Sequence, residues 1–312
     1  MTRSAAGLVT RPSRRAASRP WLPPVALAGV AVVWGVTFTV VDGAVDAVPV
    51  VDLVGWRFGL ATLLLLLLRR SGPTLPRRLL GRTVLLGLLL GSGFLLQAWA
   101  LTYTDALVSG FLTGMLVVVA PLAGWLMFRQ RPAAGVGAGV VLAVGGVLLL
   151  GGPGGGLGPG EWLTLAAAVV WGLHLVLMSR WAEAPYALAL ARTQTGTVAA
   201  TAVLAGLLRA LVTGSSPLPA LPAGASTWCS VGYLSVAATA GALVLLSWSQ
   251  ARVDATRAAV ILTLEPAVSG LTAAVTGRAL DARVVVGSAL LLVAMLLVEL
   301  GRRPPSPSRR PS

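Results

Sequence analysis

Ten runs of mostly apolar residues follow one another along this chain, near 24–41, 49–68, 83–101, 107–128, 133–150, 162–180, 187–208, 228–249, 257–276 and 284–300. A helix needs about 20 such residues to cross the hydrocarbon of a bilayer. In that solvent the backbone must satisfy its own hydrogen bonds within each segment, so the runs predict helices. The stretches between them are short and rich in Arg, Pro, Gly or Asp, where a chain can turn in water or among headgroups. No stretch is left over for a soluble domain. Composition agrees: 56% of the 312 residues are hydrophobic and 11% charged, whereas a soluble domain carries roughly a quarter. The expected fold is therefore an all-α polytopic membrane protein with ten transmembrane helices.

The net charge of +14 does not make this a nucleic-acid binder, because the basic residues, all of them arginine, lie between apolar runs and not on a polar domain. The expected partner is the lipid bilayer. Counted from a cytoplasmic N-terminus, the inside segments hold nineteen arginines and the outside loops three, Arg209, Arg278 and Arg283. The positive-inside rule then puts both termini in the cytoplasm. The basic start "TRPSRRAASRP" could open a signal peptide. The run after it continues into "VVDGAVDAVP" with no small-x-small cleavage site, so an uncleaved first span is expected. The single cysteine, Cys229, cannot form an intrachain disulfide.

Two words nearly repeat: "WGVTF" from Trp34 and "WGLHL" from Trp171. Further on, "YTDALVSGFLTGMLVVVAPLAG" (103–124) is echoed by "RVDATRAAVILTLEPAVSG" (252–270), with Asp105-Ala106 against Asp254-Ala255. The chain thus divides into a basic tail (1–23), a five-helix repeat (24–150), a Gly-rich linker (151–160), a second five-helix repeat (161–300) and an Arg/Pro/Ser-rich tail (301–312). An odd number of spans per half inverts the second half relative to the first, an architecture of transporters with a substrate site near the midplane.

With "GWRFGLATLLLLLL", "ALTYTDALVSGFLTGMLVVVAPLAGWLMF" and "AAAVVWGLHLVLMSRW" in this order and spacing, residues 25 to 300 resemble the ten-helix transporters of the drug/metabolite transporter superfamily, of the EamA type. The resemblance implies export or exchange of small metabolites through a central cavity between the halves. It also exposes departures. Where such proteins end the fourth helix of each half with a Gly-Glu turn, this chain has Arg129-Gln130 and Gly277-Arg278, and Val117 replaces the first of two prolines in helix 4, leaving Pro121.

Ionisable groups within spans cost about 2.5–3.5 kcal/mol on insertion scales, so each needs a reason. Glu265 precedes Pro266 near the middle of span 9. Proline leaves the Leu262 carbonyl without a donor, which sets an acceptor cluster beside a carboxylate and suits a proton or a cationic group. Arg57 and Arg192 fall within spans 2 and 7 and, with Thr37, are candidate cavity residues; in the structural reading Arg57 pairs with Asp52 and Arg192 snorkels to headgroups. His174 stands where the first repeat has Thr37, suited either to proton relay or to a bond with a facing helix. Trp34 and Trp171 lie mid-span, as cavity walls with a π-face for substrate or as packing against a glycine. Pro121 and Pro266 are the expected helix breaks. "GVGAG" at 135–139 offers a small-residue face, read as intrachain packing, with a homodimer left open. One His and one Cys supply no metal site, and no P-loop, ATP chemistry or cofactor is expected. Proton antiport through Glu265 would suffice for energy: one charge across 100 mV is worth about 2.3 kcal/mol. The alternatives are a non-transporting scaffold or sensor, and a membrane-embedded enzyme, which would need clustered polar groups the aspartates do not form.

Overall fold

The structure, a computed structural model, describes residues 21–68, 73–129, 135–150, 156–250, 252–253, 261–277 and 281–300. Ten apolar helices correspond to the ten runs: α1 (Leu22–Val45), α2 (Val50–Leu67), α3 (Arg77–Ala100), α4 (Ala106–Phe128), α5 (Val136–Leu150), α6 (Pro159–Trp181), α7 (Ala187–Thr213), α8 (Gly224–Ser249), α9 (Leu264–Val275) and α10 (Ala282–Leu300). No strand occurs among the described residues. Seven helices, α1–α4 and α6–α8, are long and apolar enough to cross a membrane, and α5, α9 and α10 are shorter apolar helices. The tails 1–20 and 301–312, residues 151–155 of the linker, Gln130, Arg278 and the Asp254-Ala255 echo lie outside the described residues. Many large apolar side chains face outward, Leu211 at 82% and Val212 at 85% exposure among them, as expected of a bundle whose outer face meets lipid.

The halves do not form separate cores. The most extensive helix packings all join one half to the other: α5 with α10, α3 with α6, α2 with α7 and α1 with α9. α1 also packs on α8, and its counterpart α6 packs on α3 and α4. The helix that opens each repeat thus lies between two helices of the opposite repeat.

The glycine of each Trp-Gly word permits this crossing. A Cβ on Gly35 would stand 2.6 Å from Val268 Cβ and 2.7 Å from the Glu265 carbonyl oxygen on α9. A Cβ on Gly172 would stand 2.7 Å from Val119 Cγ1 on α4. Small residues let helix backbones approach closely where lipid offers no hydrophobic drive for association.

The helix ends carry local signals. Asp281 precedes α10 and accepts from the Val284 N–H at 2.9 Å, an N-terminal cap. That bond, followed by the contact with Arg283, holds its carboxyl below the usual aspartate range. Where the resembled family has a Gly-Glu turn, Gly277 has φ +83° and Arg129 has φ +54°. Both positions therefore require the left-handed region that closes a helix, and Arg129 adopts it against the preference of a residue bearing a Cβ.

Two stability outcomes follow for purified protein. Gly35→Ala lowers the thermal midpoint, at a cost of about 1–3 kcal/mol for overpacking, whereas Gly29→Ala, on the same helix with open space around it, does not. Arg129→Gly raises the midpoint, by about 0.5–1 kcal/mol, because the left-handed penalty exceeds the entropy glycine adds.

Candidate functional site

A cavity of about 90 Å³ lies between the halves. Two interrupted helices open onto it. α4 is broken at Gly114–Met115 into Ala106–Thr113 and Leu116–Phe128, and tighter bonds, Gly114 N–H to Phe111 O at 3.1 Å and Met115 N–H to Leu112 O at 3.0 Å, span the break. In the other half Thr263 interrupts the helical path just before α9. Aligned on Asp105 and Asp254, Gly114 falls opposite Thr263 and Leu116 opposite Glu265, and all four line the cavity. Pro266, where a break is expected, lies inside α9, three residues after Thr263. Pro121 differs: Leu116–Phe128 runs through it, and it does not line the cavity. The break lies at Gly114, where a Cβ would meet the Met295 side chain of α10.

The two tryptophans do the same work in each half. Trp34 Nε1 donates to the Ala238 carbonyl of α8 at 2.9 Å. Trp171 Nε1 donates to the Leu90 carbonyl of α3 at 3.4 Å. Both line the cavity, and Trp171 also fills the space that a side chain on Gly93 would occupy. They are cavity walls and packing residues at once. The acceptor on α8 exists because Val236–Gly241 forms a π-turn, which loosens the carbonyl ladder of the helix.

Arg57 is 3% exposed and lines the cavity. The expected ion pair with Asp52 is not formed. Asp52 instead accepts from Arg209 Nη1 and from the Ala220 N–H, both at 3.1 Å. The five-residue spacing turns the two side chains apart, and the end of α7 with the loop after it reaches Asp52 first. Trp56 holds the same loop through Ala220 O at 2.9 Å and meets Trp228 edge-on at 5.3 Å. Arg57 turns inward. Its Nε donates to Thr239 Oγ1 at 2.7 Å and its Nη2 to Ala238 O at 3.4 Å, both in the π-turn. The Phe94 ring lies 4.2 Å from the guanidinium carbon, within cation–π range.

Glu265 lines the cavity and has no hydrogen bond or ion pair among the described residues. His174, 7% exposed, also lines it, and its Nε2 donates to Gln194 Oε1 of α7 at 2.7 Å. It is tied to a facing helix, and Thr37 is tied to its own, through Val33 O at 2.9 Å. Arg192 stands away from the cavity: its Nε donates to Leu65 O of α2 at 2.8 Å. The sequence arguments did not single out Thr239, Phe94, Gln97 or Gln194. Uncharged polar and aromatic residues in an apolar run carry no insertion penalty large enough to stand out, and only the fold brings Thr239 and Phe94 to Arg57, Gln194 to His174 and Gln97 to the cavity.

Comparison with known proteins agrees with this architecture. The profile of the EamA-like transporter family matches residues 22–152 and again 158–300. The chain is 29% identical over 277 residues to a protein of Archaeoglobus fulgidus named "Uncharacterized transporter", covering 88% of this chain and 84% of that one. A solved structure described as "Crystal structure of protein" shares the fold, with a TM-score of 0.65 at 22% identity over 91% of this chain and 98% of that one.

Removing the Thr239 hydroxyl leaves a buried guanidinium N–H without an acceptor. Thr239→Val therefore destabilises by about 1–3 kcal/mol, and Thr239→Ser stays near wild type, as read from thermal unfolding of the two purified variants.

Proposed function

The chain belongs to the EamA-like transporter family, and we propose that it is a secondary transporter that exports or exchanges a small metabolite or drug-like compound across the inner (cell) membrane by alternating access. One observation carries this: both halves wall a cavity lined by a carboxylate, Glu265, that has no partner among the described residues and stands beside a helix break. A scaffold or sensor has no use for an open midplane with a costly ionisable group in it.

The repeats, 24–150 and 161–300 joined by 151–160, each carry five helices, so the second is inverted in the membrane. The reciprocal packing of α1 on α8 and α9, and of α6 on α3 and α4, is what two inverted copies produce when they interlock, and rocking one against the other would expose the cavity to each side in turn. The arginine bias puts the tails 1–23 and 301–312 in the cytoplasm. Ion pairs support that topology: Arg78 with Glu183 at 3.0 Å joins two inside segments, and Asp52 with Arg209 joins two outside ones. Glu265 carries the coupling proton, the broken backbone beside it supplying the polar surroundings that a carboxylate needs when it changes charge. Energy is electrochemical, since one charge moved across 100 mV is worth about 2.3 kcal/mol, close to a 50-fold gradient.

Purified protein in liposomes with a trapped pH dye tests the coupling. Wild type is expected to move protons when an accepted substrate is added, and Glu265→Gln to lose that signal while still exchanging labelled substrate. Equal proton movement in both would remove Glu265 from the cycle.

A further inference from the structure

Arg57 is a buried cation with no ion-pair partner among the described residues. Asp52, the carboxylate nearest to it in sequence, is engaged by Arg209 and Ala220, and no carboxylate among the described residues pairs with Arg57. A guanidinium has five N–H donors. Here Nε is bound to Thr239 and one bond of Nη2 goes to Ala238, and Nη1 takes no acceptor among the described residues although Arg57 lines the cavity. A buried charge left in that condition is costly unless something else completes it.

The surroundings hold this cation in a fixed pose. Thr239 grips it from the π-turn, and Phe94 lies against it with Phe58 further off at 5.6 Å. One turn along α3 from Phe94 stands Gln97, 4% exposed. It lines the same cavity, and its side-chain amide has no partner among the described residues. A fixed guanidinium and an amide donor facing one apolar space form a preorganised anion site, and the indole faces of Trp34 and Trp171 offer a surface for an apolar body. His174 is already engaged with Gln194. Glu265 shares the cavity and opposes a second negative charge. The volume, about 90 Å³, is room for several waters at ~10–15 Å³ each, so the occupant is a small molecule.

On these grounds, and resting on the transporter reading above, we propose that Arg57 selects the cargo: a compact organic monoanion, its acidic head on Arg57 and Gln97 and its short apolar body against the tryptophans. Polyanions and amines are disfavoured, the first by Glu265 and the second by Arg57.

Propane-1-sulfonate, 1-propanol and 1-propylamine share a body and differ in head, and the sulfonate stays ionised and does not leak across lipid. Calorimetric titration of the purified wild-type protein, with empty micelles subtracted, is expected to show the sulfonate binding at least ten-fold more tightly than the alcohol or the amine. Arg57→Gln should lose ten-fold or more for the sulfonate, Gln97→Leu several-fold, and Arg57→Lys should keep most of it. Equal affinity for the three heads, no sulfonate binding above the micelle blank, or unchanged binding in a monodisperse Arg57→Gln protein would overturn the proposal. Should Arg57→Gln aggregate, the head-group series on wild type and the Gln97→Leu variant decide. Uptake of labelled propane-1-sulfonate into liposomes separates the two levels. Binding without uptake keeps the anion site and removes the transporter reading, and uptake of the amine in place of the sulfonate does the reverse.

Discussion

Everything in this bundle depends on the close crossing that each Trp-Gly pair makes between halves. At Gly35 the backbone of α1 comes so near α9 that no side chain fits, and at Gly172 α6 does the same against α4. One residue earlier, the indole reaches a different helix of the opposite half, α8 from Trp34 and α3 from Trp171. A single dipeptide thus fixes two neighbours of its helix, one by absence of a side chain and one by a long side chain with a polar tip. Hydrogen bonds between helices in lipid are individually modest, about 0.6 kcal/mol on average, so it is the combination with close packing that makes the crossing specific.

The cavity is a by-product of the same geometry. Two interrupted helices meet at the centre because α4 and α9 are the partners that the glycines admit, and their breaks at Gly114 and Thr263 occupy equivalent places. On the α8 side the π-turn does a comparable job, giving one carbonyl to both Trp34 and Arg57. Polar function in the membrane is thus built largely from irregular backbone enclosed by protein. The charges added to it, Arg57 and Glu265, come from different halves of the chain and are not paired with each other.

Run lengths were enough to read ten helices directly from the residues, because a bilayer imposes so narrow a choice of structures, and the repeated words pointed to two halves, which the family profile matches in turn. Trp34, Thr37, Trp171, His174, Arg57 and Glu265, all of which line the cavity, stood out in the sequence for a related reason: a polar or bulky group within a span is conspicuous. What could not be read was partnership. Asp52 and Arg57 are neighbours in sequence, yet Arg209, more than 150 residues away, takes the carboxylate, and Arg57 finds its acceptor in a π-turn that no local pattern announces. Arg192, the other arginine within a span, stands away from the cavity and donates to a backbone carbonyl of α2. Pro121 suggested a break that close packing at Gly114 makes elsewhere.

The interlocked arrangement also bears on how the protein is made. The carbonyl that accepts from Trp34 lies 204 residues further along the chain. A ribosome adding about 5–20 residues per second reaches it roughly 10–40 s after Trp34 itself. During that interval α1 is already threaded into lipid, with its indole N–H and the bare backbone at Gly35 facing hydrocarbon or whichever helix is at hand. The nascent first half lacks the partners of its helices, and the bundle closes only once the second half has been made.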